Sequence, residues 1–267
     1  MGYPKDLKAI SRKLTDNIVL TVTAFSRVNI LNFGARMGLF NYDGQVIVWS
    51  AIPHGDEVKK SIKLLTGTEE TKVSYLIIPD LEHTMAAKSF KEVYPQMKII
   101  ASEKVNIPGL HIDYVIPDKL GNSLIDSKVL TDLGVDEVIS KNFEFVYLPY
   151  HTNQELVMFD KNTKILFEAD LLFNLGVKEP LEQYSPETGF TKGYNPHGGL
   201  SFLTRYLHPY SKVGNKLTNS VCNVSKSKPG LETIYNWDFN TIVMCHGNII
   251  DKDAKKAFKN VFSNVLS

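Results

Sequence analysis

Short apolar runs bounded by turn residues constrain this chain more than any other feature of it. Residues 18–25 (IVLTVTAF), 45–50 (QVIVWS), 73–78 (VSYLII), 98–101 (KIIA), 143–148 (FEFVYL), 155–159 (ELVMF), 164–167 (KILF) and 241–245 (TIVMC) are rich in Val, Ile and aromatic side chains. Runs of about four to eight such residues have strand length, short of the roughly 10–12 that a packed helix takes. Residues 36–40 lead into Asn41-Tyr42-Asp43-Gly44, a hairpin signal because Asp-Gly tolerates the positive φ of a tight turn. Asp160-Lys161-Asn162-Thr163 joins another pair of runs. Helical spacing is predicted over 56–65, where Asp56 and Glu57 suit a helix N-terminus, and again over 81–94 and 253–266. Residues 201–210 and 231–237 read as mixed or helical. This alternation argues for parallel pairing in a layered α/β fold.

Two β-rich halves, each with helices, fit a four-layer αββα sandwich forming a single domain over residues 1–267. Periodicity alone does not separate that from other α/β folds. Residues 174–197, rich in Gly, Pro and Tyr, read as a long irregular loop that shapes a pocket. The 267 residues, 43% of them hydrophobic, supply a sizeable core. Thirty Lys and Arg against 29 Asp and Glu give a net charge of +1, without the basic excess of a nucleic-acid binder. No apolar run approaches the roughly 20 residues of a membrane span. The opening residues lack the apolar stretch of a secretory signal, and Asp6 stands where N-myristoylation wants Ser or Thr. Cys222 and Cys245 build no disulfide framework and lack zinc-finger spacing. The expectation is a cytoplasmic protein acting on a small molecule, without nucleic-acid or membrane partners; its oligomeric state is open.

Chemistry is concentrated at the ends of four apolar runs. His83 follows in Ile78-Pro79-Asp80-Leu81-Glu82-His83, His151 in Leu148-Pro149-Tyr150-His151-Thr152, Asp170 in Glu168-Ala169-Asp170, and His246 follows TIVMC and precedes Gly247. Imidazole and carboxylate are the usual protein ligands for zinc, iron or manganese. In α/β sheets, ligand-bearing loops converge beyond strand ends. Taken singly, each residue has an ordinary explanation, as a hydrogen-bonded surface histidine or a turn-forming aspartate. Their joint order carries the argument.

That order resembles the metallo-β-lactamase-like superfamily, whose strands end in Thr-His-x-His-x-Asp-His, Gly-His-Thr, Gly-Asp and Gly-His-Gly. His151-Thr152 followed by ELVMFDKNTKILFEAD looks like the second and third of these, and Met244-Cys245-His246-Gly247 like the fourth. The resemblance spans roughly residues 18–262. More narrowly, Asn236-Trp237-Asp238-Phe239 running into Cys245-His246-Gly247 resembles an uncharacterised branch of that superfamily found in fungi, plants and bacteria. The resemblance implies one or two divalent metal ions.

The first motif departs from the pattern. With Pro79 on the family's Thr, Asp80 and Glu82 fall on its first two histidines, and Thr84 and Met85 on its Asp-His pair. His83 falls between, and a one-residue shift makes it a ligand. The implied ligands are Asp80, Glu82, His151 and Asp170 for one site, and Asp170, His246 and His83 for the other. A carboxylate-rich set leans towards iron or manganese, with zinc retained. The implied activity is metal-dependent hydrolysis of an ester, thioester, lactone or phosphodiester, with His246 or His83 stabilising the oxyanion. Thr84 cannot serve as the family's base. A catalytically inactive binding module for a small molecule or protein is therefore the alternative, and an iron-dependent redox protein a third.

Elsewhere, His54 is expected to cap a helix or face solvent, His197 lies in the long loop, where a Gly-rich backbone suits either a substrate contact or a structural role, and His111 and His208 are expected to be structural. Arg36 is expected to pair with a buried carboxylate and Cys245 to be an inert strand cysteine. Tyr184, Phe190 and Tyr194 either line a pocket or cover the core. Residues 225–228 read as a solvated basic loop, and the sequon at Asn223 as unused.

Overall fold

The computed structural model describes residues 2–266. The first half runs through β1 (Ala9–Thr15), β2 (Ile18–Thr23), a small hairpin of β3 (Ser26–Arg27) and β4 (Leu31–Asn32), then β5 (Ala35–Tyr42) and β6 (Gln45–Trp49). Helix α1 (Asp56–Thr66), β7 (Val73–Ile77), α2 (Ala87–Val93), β8 (Lys98–Ser102) and β9 (Tyr114–Ile116) follow. The second half has β10 (Leu124–Ile125), α3 (Ser127–Asp132), α4 (Glu137–Asn142), β11 (Phe143–Leu148), β12 (Glu155–Asp160) and β13 (Ile165–Glu168). It ends with α5 (Lys212–Cys222), α6 (Val224–Asn236), β14 (Thr241–Met244) and α7 (Ala254–Val261).

Seven strands form one sheet in the order β1-β2-β5-β6-β7-β8-β9, and five form a second in the order β10-β11-β12-β13-β14. Phe40, Ile47 and Trp49 from the first sheet meet Phe143, Phe145 and Phe167 from the second, so the two sheets share one apolar interior. The outer face of the first sheet packs Val19, Met37 and Val48 against Val58 and Ile62 of α1 and Phe90 of α2. The outer face of the second packs Val157, Leu166 and Ile242 against Leu231 and Ile234 of α6 and Phe258 of α7. This is the expected four-layer αββα sandwich, formed because strands apolar on both faces must be covered on both.

The apolar runs became strands, with boundaries shifted by a residue or two, and the Asp43-Gly44 hairpin closes β5 onto β6. Three expectations change. The helix predicted over 81–94 forms only as α2, because the Asp80 carboxylate accepts the N–H groups of Glu82 (2.7 Å) and His83 (2.9 Å) and holds a turn instead. The mixed segment 201–210 is a 3₁₀ run over Gly199–Tyr206. Helix α6 starts at Val224, well before 231, and carries Pro229 inside it.

Topology sets the functional edge. Strands β13 and β14 are parallel with Glu168 opposite Met244. Asp170 and His246 therefore each lie two residues beyond a matched pair and emerge side by side. The Arg36 guanidinium, at the start of β5, donates to the Met244 carbonyl at 2.5 Å and ties the first sheet to that edge.

Candidate metal centre

His83 from the loop after β7, Asp170 from the loop after β13 and His246 from the loop after β14 offer donor atoms that all lie within 4.8 Å of one another. His246 Nε2 stands 3.2 Å from Asp170 Oδ1. The rings of His83 and His246 are 5.3 Å apart. The other ring nitrogen of each histidine is engaged. His246 Nδ1 donates to the Gly34 carbonyl at 2.6 Å, which leaves Nε2 as the free donor. His83 Nδ1 lies 2.8 and 2.9 Å from the two carboxylate oxygens of Asp80. Partners of this kind fix the tautomer and orientation of a ligating imidazole.

The six residues expected as ligands fall into two groups. His83, Asp170 and His246 meet. Asp80 lies behind His83 and holds the ring and its turn. Glu82 turns outward to an ion pair with Arg27, 2.5 Å away at the mouth of the cleft. The tight Asp80 turn sends successive carboxylates to different places, which an extended strand end would not do. His151 is buried beside Asp170. Its Nδ1 accepts the Asn153 N–H at 3.2 Å, and its Nε2 has no hydrogen-bond partner among the described residues. Asn153 Nδ2 in turn donates to Asp170 Oδ2 at 2.6 Å. Thr84 and Met85 bring no ligand: the Thr84 carbonyl accepts the Ala87 N–H, and Met85 is exposed.

Asp170 is held as the anion of the site. Burial works against the charged form of Asp170, but His246, His83 and His151 outweigh it and hold the carboxyl below its ordinary range. Burial disfavours protonated His83, yet the adjoining Asp80 carboxylate and Cys245 together outweigh it and lift the imidazole well above its usual value, so a metal ion bound there must displace the proton on Nε2. Burial dominates at His151 and pushes it down.

Two buried carboxyls beside Asp170 were not singled out from the sequence. Glu155, fully buried at the start of β12, accepts the Ala169 N–H at 2.6 Å and the Asp170 N–H at 3.2 Å. Glu168, at the end of β13, accepts from Leu171 (2.8 Å) and Leu172 (3.3 Å), while its Oε1 is buried without a partner. Together they clamp the loop that carries Asp170. Burial raises both carboxyls well above the usual range. The signal was a Glu at each edge of an apolar run, where strand burial leaves no room for an idle charge.

The remaining candidates sit elsewhere. Arg36 is buried and bonds a main-chain carbonyl; it does not make the expected carboxylate pair, and burial pulls it down to about 10. His54 packs edge-on against Phe90 and Tyr94. His197 is buried with Nδ1 2.9 Å from Thr204 Oγ1, the structural one of its two readings. Tyr184, Phe190 and Tyr194 form a mutual cluster that covers the core. Cys245 is buried behind His83.

A cleft of about 170 Å³ opens over Asp170 and His246. Phe25, Phe33 and Phe173 surround the His246 ring at centroid distances of 6.1, 5.6 and 6.0 Å. Leu207, Leu217 and Val221 close the opposite wall, with Glu82 and Arg27 at the rim. The loop 174–197 lines none of this cleft, contrary to expectation; it braces the floor through Gln183 Nε2, which donates to the Gly247 carbonyl at 2.9 Å.

No protein-family model and no curated protein sequence matches this chain. Solved structures do. A metallo-β-lactamase from Hirschia baltica superposes with a TM-score of 0.58 at 10% identity, covering 96% of this chain and 97% of that one. The metallo-β-lactamase FIM-1 from Pseudomonas aeruginosa, in its mono-zinc form, gives 0.55 at 11% identity over 97% and 96%. The metal-soaked Flv1 flavodiiron core from Synechocystis sp. PCC6803 gives 0.57 at 14% identity, covering 96% of this chain and 60% of its own.

Proposed function

We propose that this chain, which has the metallo-β-lactamase fold, holds one divalent metal ion on His83, Asp170 and His246 and hydrolyses a small-molecule ester, thioester, lactone or phosphodiester in the cleft above them. The observation that carries the reading is the set of three donors within 4.8 Å, with both histidines oriented from behind. Two imidazoles and one carboxylate suit zinc and iron(II) alike, and manganese less strongly. A metal held there supplies an acidified water and a Lewis acid for a carbonyl or phosphoryl oxygen.

The chain's own residues do the rest. Asp80 keeps the His83 ring in place. Glu155 and Asn153 fix the two sides of Asp170. Three phenylalanines strip water from His246, which strengthens charge interactions inside the cleft. Glu82 lines the cleft in its ion pair with Arg27 and is the carboxylate outside the ligand set that faces a bound substrate. Binding without turnover is the second reading, favoured by Thr84 and Met85, which leave three clustered ligands where the fold's two-metal pattern has more.

Elemental analysis of protein prepared without affinity-resin metals tests the reading, together with a panel of chromogenic ester, thioester, lactone and phosphodiester substrates. The expected result is about one equivalent of metal, falling below about a tenth in His83→Ala, Asp170→Asn and His246→Ala, with turnover lost in parallel. A wild-type protein carrying less than about a tenth of an equivalent after metal reconstitution would sink it. Metal without turnover on any substrate class selects the binding reading.

A further inference from the structure

The segment beside the cleft is built inside out. In the 3₁₀ run Gly199–Tyr206, a three-residue repeat aligns 201 with 204 on one edge and 200, 203 and 206 on another. Ser201 and Thr204 are buried, whereas Leu200 and Leu203 are 75% and 71% exposed. The buried hydroxyls are satisfied: Ser201 Oγ accepts the Asn32 N–H at 2.9 Å, and Thr204 Oγ1 bonds His197. Helix α5 repeats the inversion, with Thr218 and Asn219 buried and Val213 and Leu217 70% and 53% exposed. The two segments pack together at their near ends, where Gly214 lies so close to the Tyr206 carbonyl that a Cβ there would stand 2.0 Å from it. Folding ordinarily buries Leu and Val and leaves Ser, Thr and Asn outside. A reversal repeated in two segments that pack together marks a contact surface.

Charge identifies what it contacts. From Thr188 to Leu231 the chain has no Asp or Glu but six cations, Lys192, Arg205, Lys212, Lys216, Lys226 and Lys228, in a protein whose net charge is +1. Of these six, only Lys228 has a carboxylate partner among the described residues, Glu232 at 3.7 Å. At the cleft mouth Glu82 is neutralised by Arg27, and beyond Tyr210 the acids Glu179 and Asp251 share a groove with Lys178 and Lys252. A second copy docked through this face would set like charges against each other. A nucleic acid would meet the same charge, but it would leave Leu200, Leu203 and Val213, 75%, 71% and 70% exposed, against a polar backbone that offers aliphatic side chains nothing to bury them.

We propose that this face seats on an anionic lipid bilayer. Leu200, Leu203 and Val213 enter the acyl boundary, and Lys212 and Lys216 lie at the headgroups. Leu217 belongs to both the face and the cleft wall, so the cleft mouth turns towards the membrane. The chain then lies on the bilayer without crossing it; no helix among the described residues is long and apolar enough to span one. This inference is independent of the metal.

Co-sedimentation of the full chain with vesicles of phosphatidylcholine, with and without phosphatidylserine, tests it. The chain is expected to bind the phosphatidylserine vesicles and not the neutral ones. Binding is expected to fall more than about tenfold in the triple variant Leu200→Ser, Leu203→Ser, Val213→Ser and in the double variant Lys212→Glu, Lys216→Glu, with circular dichroism unchanged. Three outcomes overturn it: no binding to anionic vesicles, undiminished binding by the triple variant, or a wild-type dimer that the triple variant dissolves. Displacement from the vesicles by a duplex oligonucleotide at equal charge concentration would assign the face to nucleic acid and overturn it too.

Discussion

Asp80 and Asp170 are both buried aspartates just beyond an apolar strand, yet one orients a histidine and the other faces the cleft. The difference is local. Asp80 sits two and three residues before the N–H groups it accepts and behind the ring it holds, whereas the Asp170 main chain is pinned by Glu155 and its carboxylate is free to meet His246. Residue types and their place after strands were legible in the sequence, so His83, His151, Asp170 and His246 could be nominated from it. Which carboxylate points at the centre could not, because a single turn decides it. Asp80→Asn keeps the shape but presents an amide N–H to His83 Nδ1. Metal affinity, measured by chelator competition, is expected to fall about 10–100-fold. An affinity within about twofold of wild type would mean that Asp80 does not orient the ring.

Among the elements, the strands were the most legible, since β-branched runs of the right length have few alternatives once flanked by turns. Strand β1 was missed because AISRKLT is an edge strand, half exposed and without an apolar run. The run Gly199–Tyr206 and helix α5 were obscured for a different reason: their apolar residues face out, so periodicity points to the wrong side. Loop geometry at the site is more demanding still. Gly247 follows His246 with φ of 98°, and a Cβ there would stand 2.4 Å from the Asn174 carbonyl oxygen. Gly247→Ala must therefore strain the backbone or push residues 174 and 247 apart. A loss of about 1–3 kcal/mol is expected by urea unfolding, with weaker metal retention. Unchanged stability would mean that this close approach is not maintained in solution.

At the scale of the whole molecule, the two sheets are joined by aromatic packing. Phe40 of the first sheet meets Phe167 at 4.9 Å and Phe143 at 5.3 Å, both from the second, in edge-to-face geometry. Phe40→Ala removes that bridge and should cost about 3–5 kcal/mol, lowering the thermal midpoint of both sheets together. Two separate transitions, or no shift, would show that the halves are stabilised independently. By itself the sequence determined the strands that carry apolar runs, the helix α1, the layered α/β class and the nomination of histidines and an aspartate at strand ends, because hydrophobic period and turn chemistry are local properties. Only the tertiary structure decided that β13 and β14 run parallel in register, that Glu82 serves Arg27, and that leucines of one segment face solvent. Those outcomes depend on contacts between residues tens to hundreds of positions apart, which no local pattern encodes.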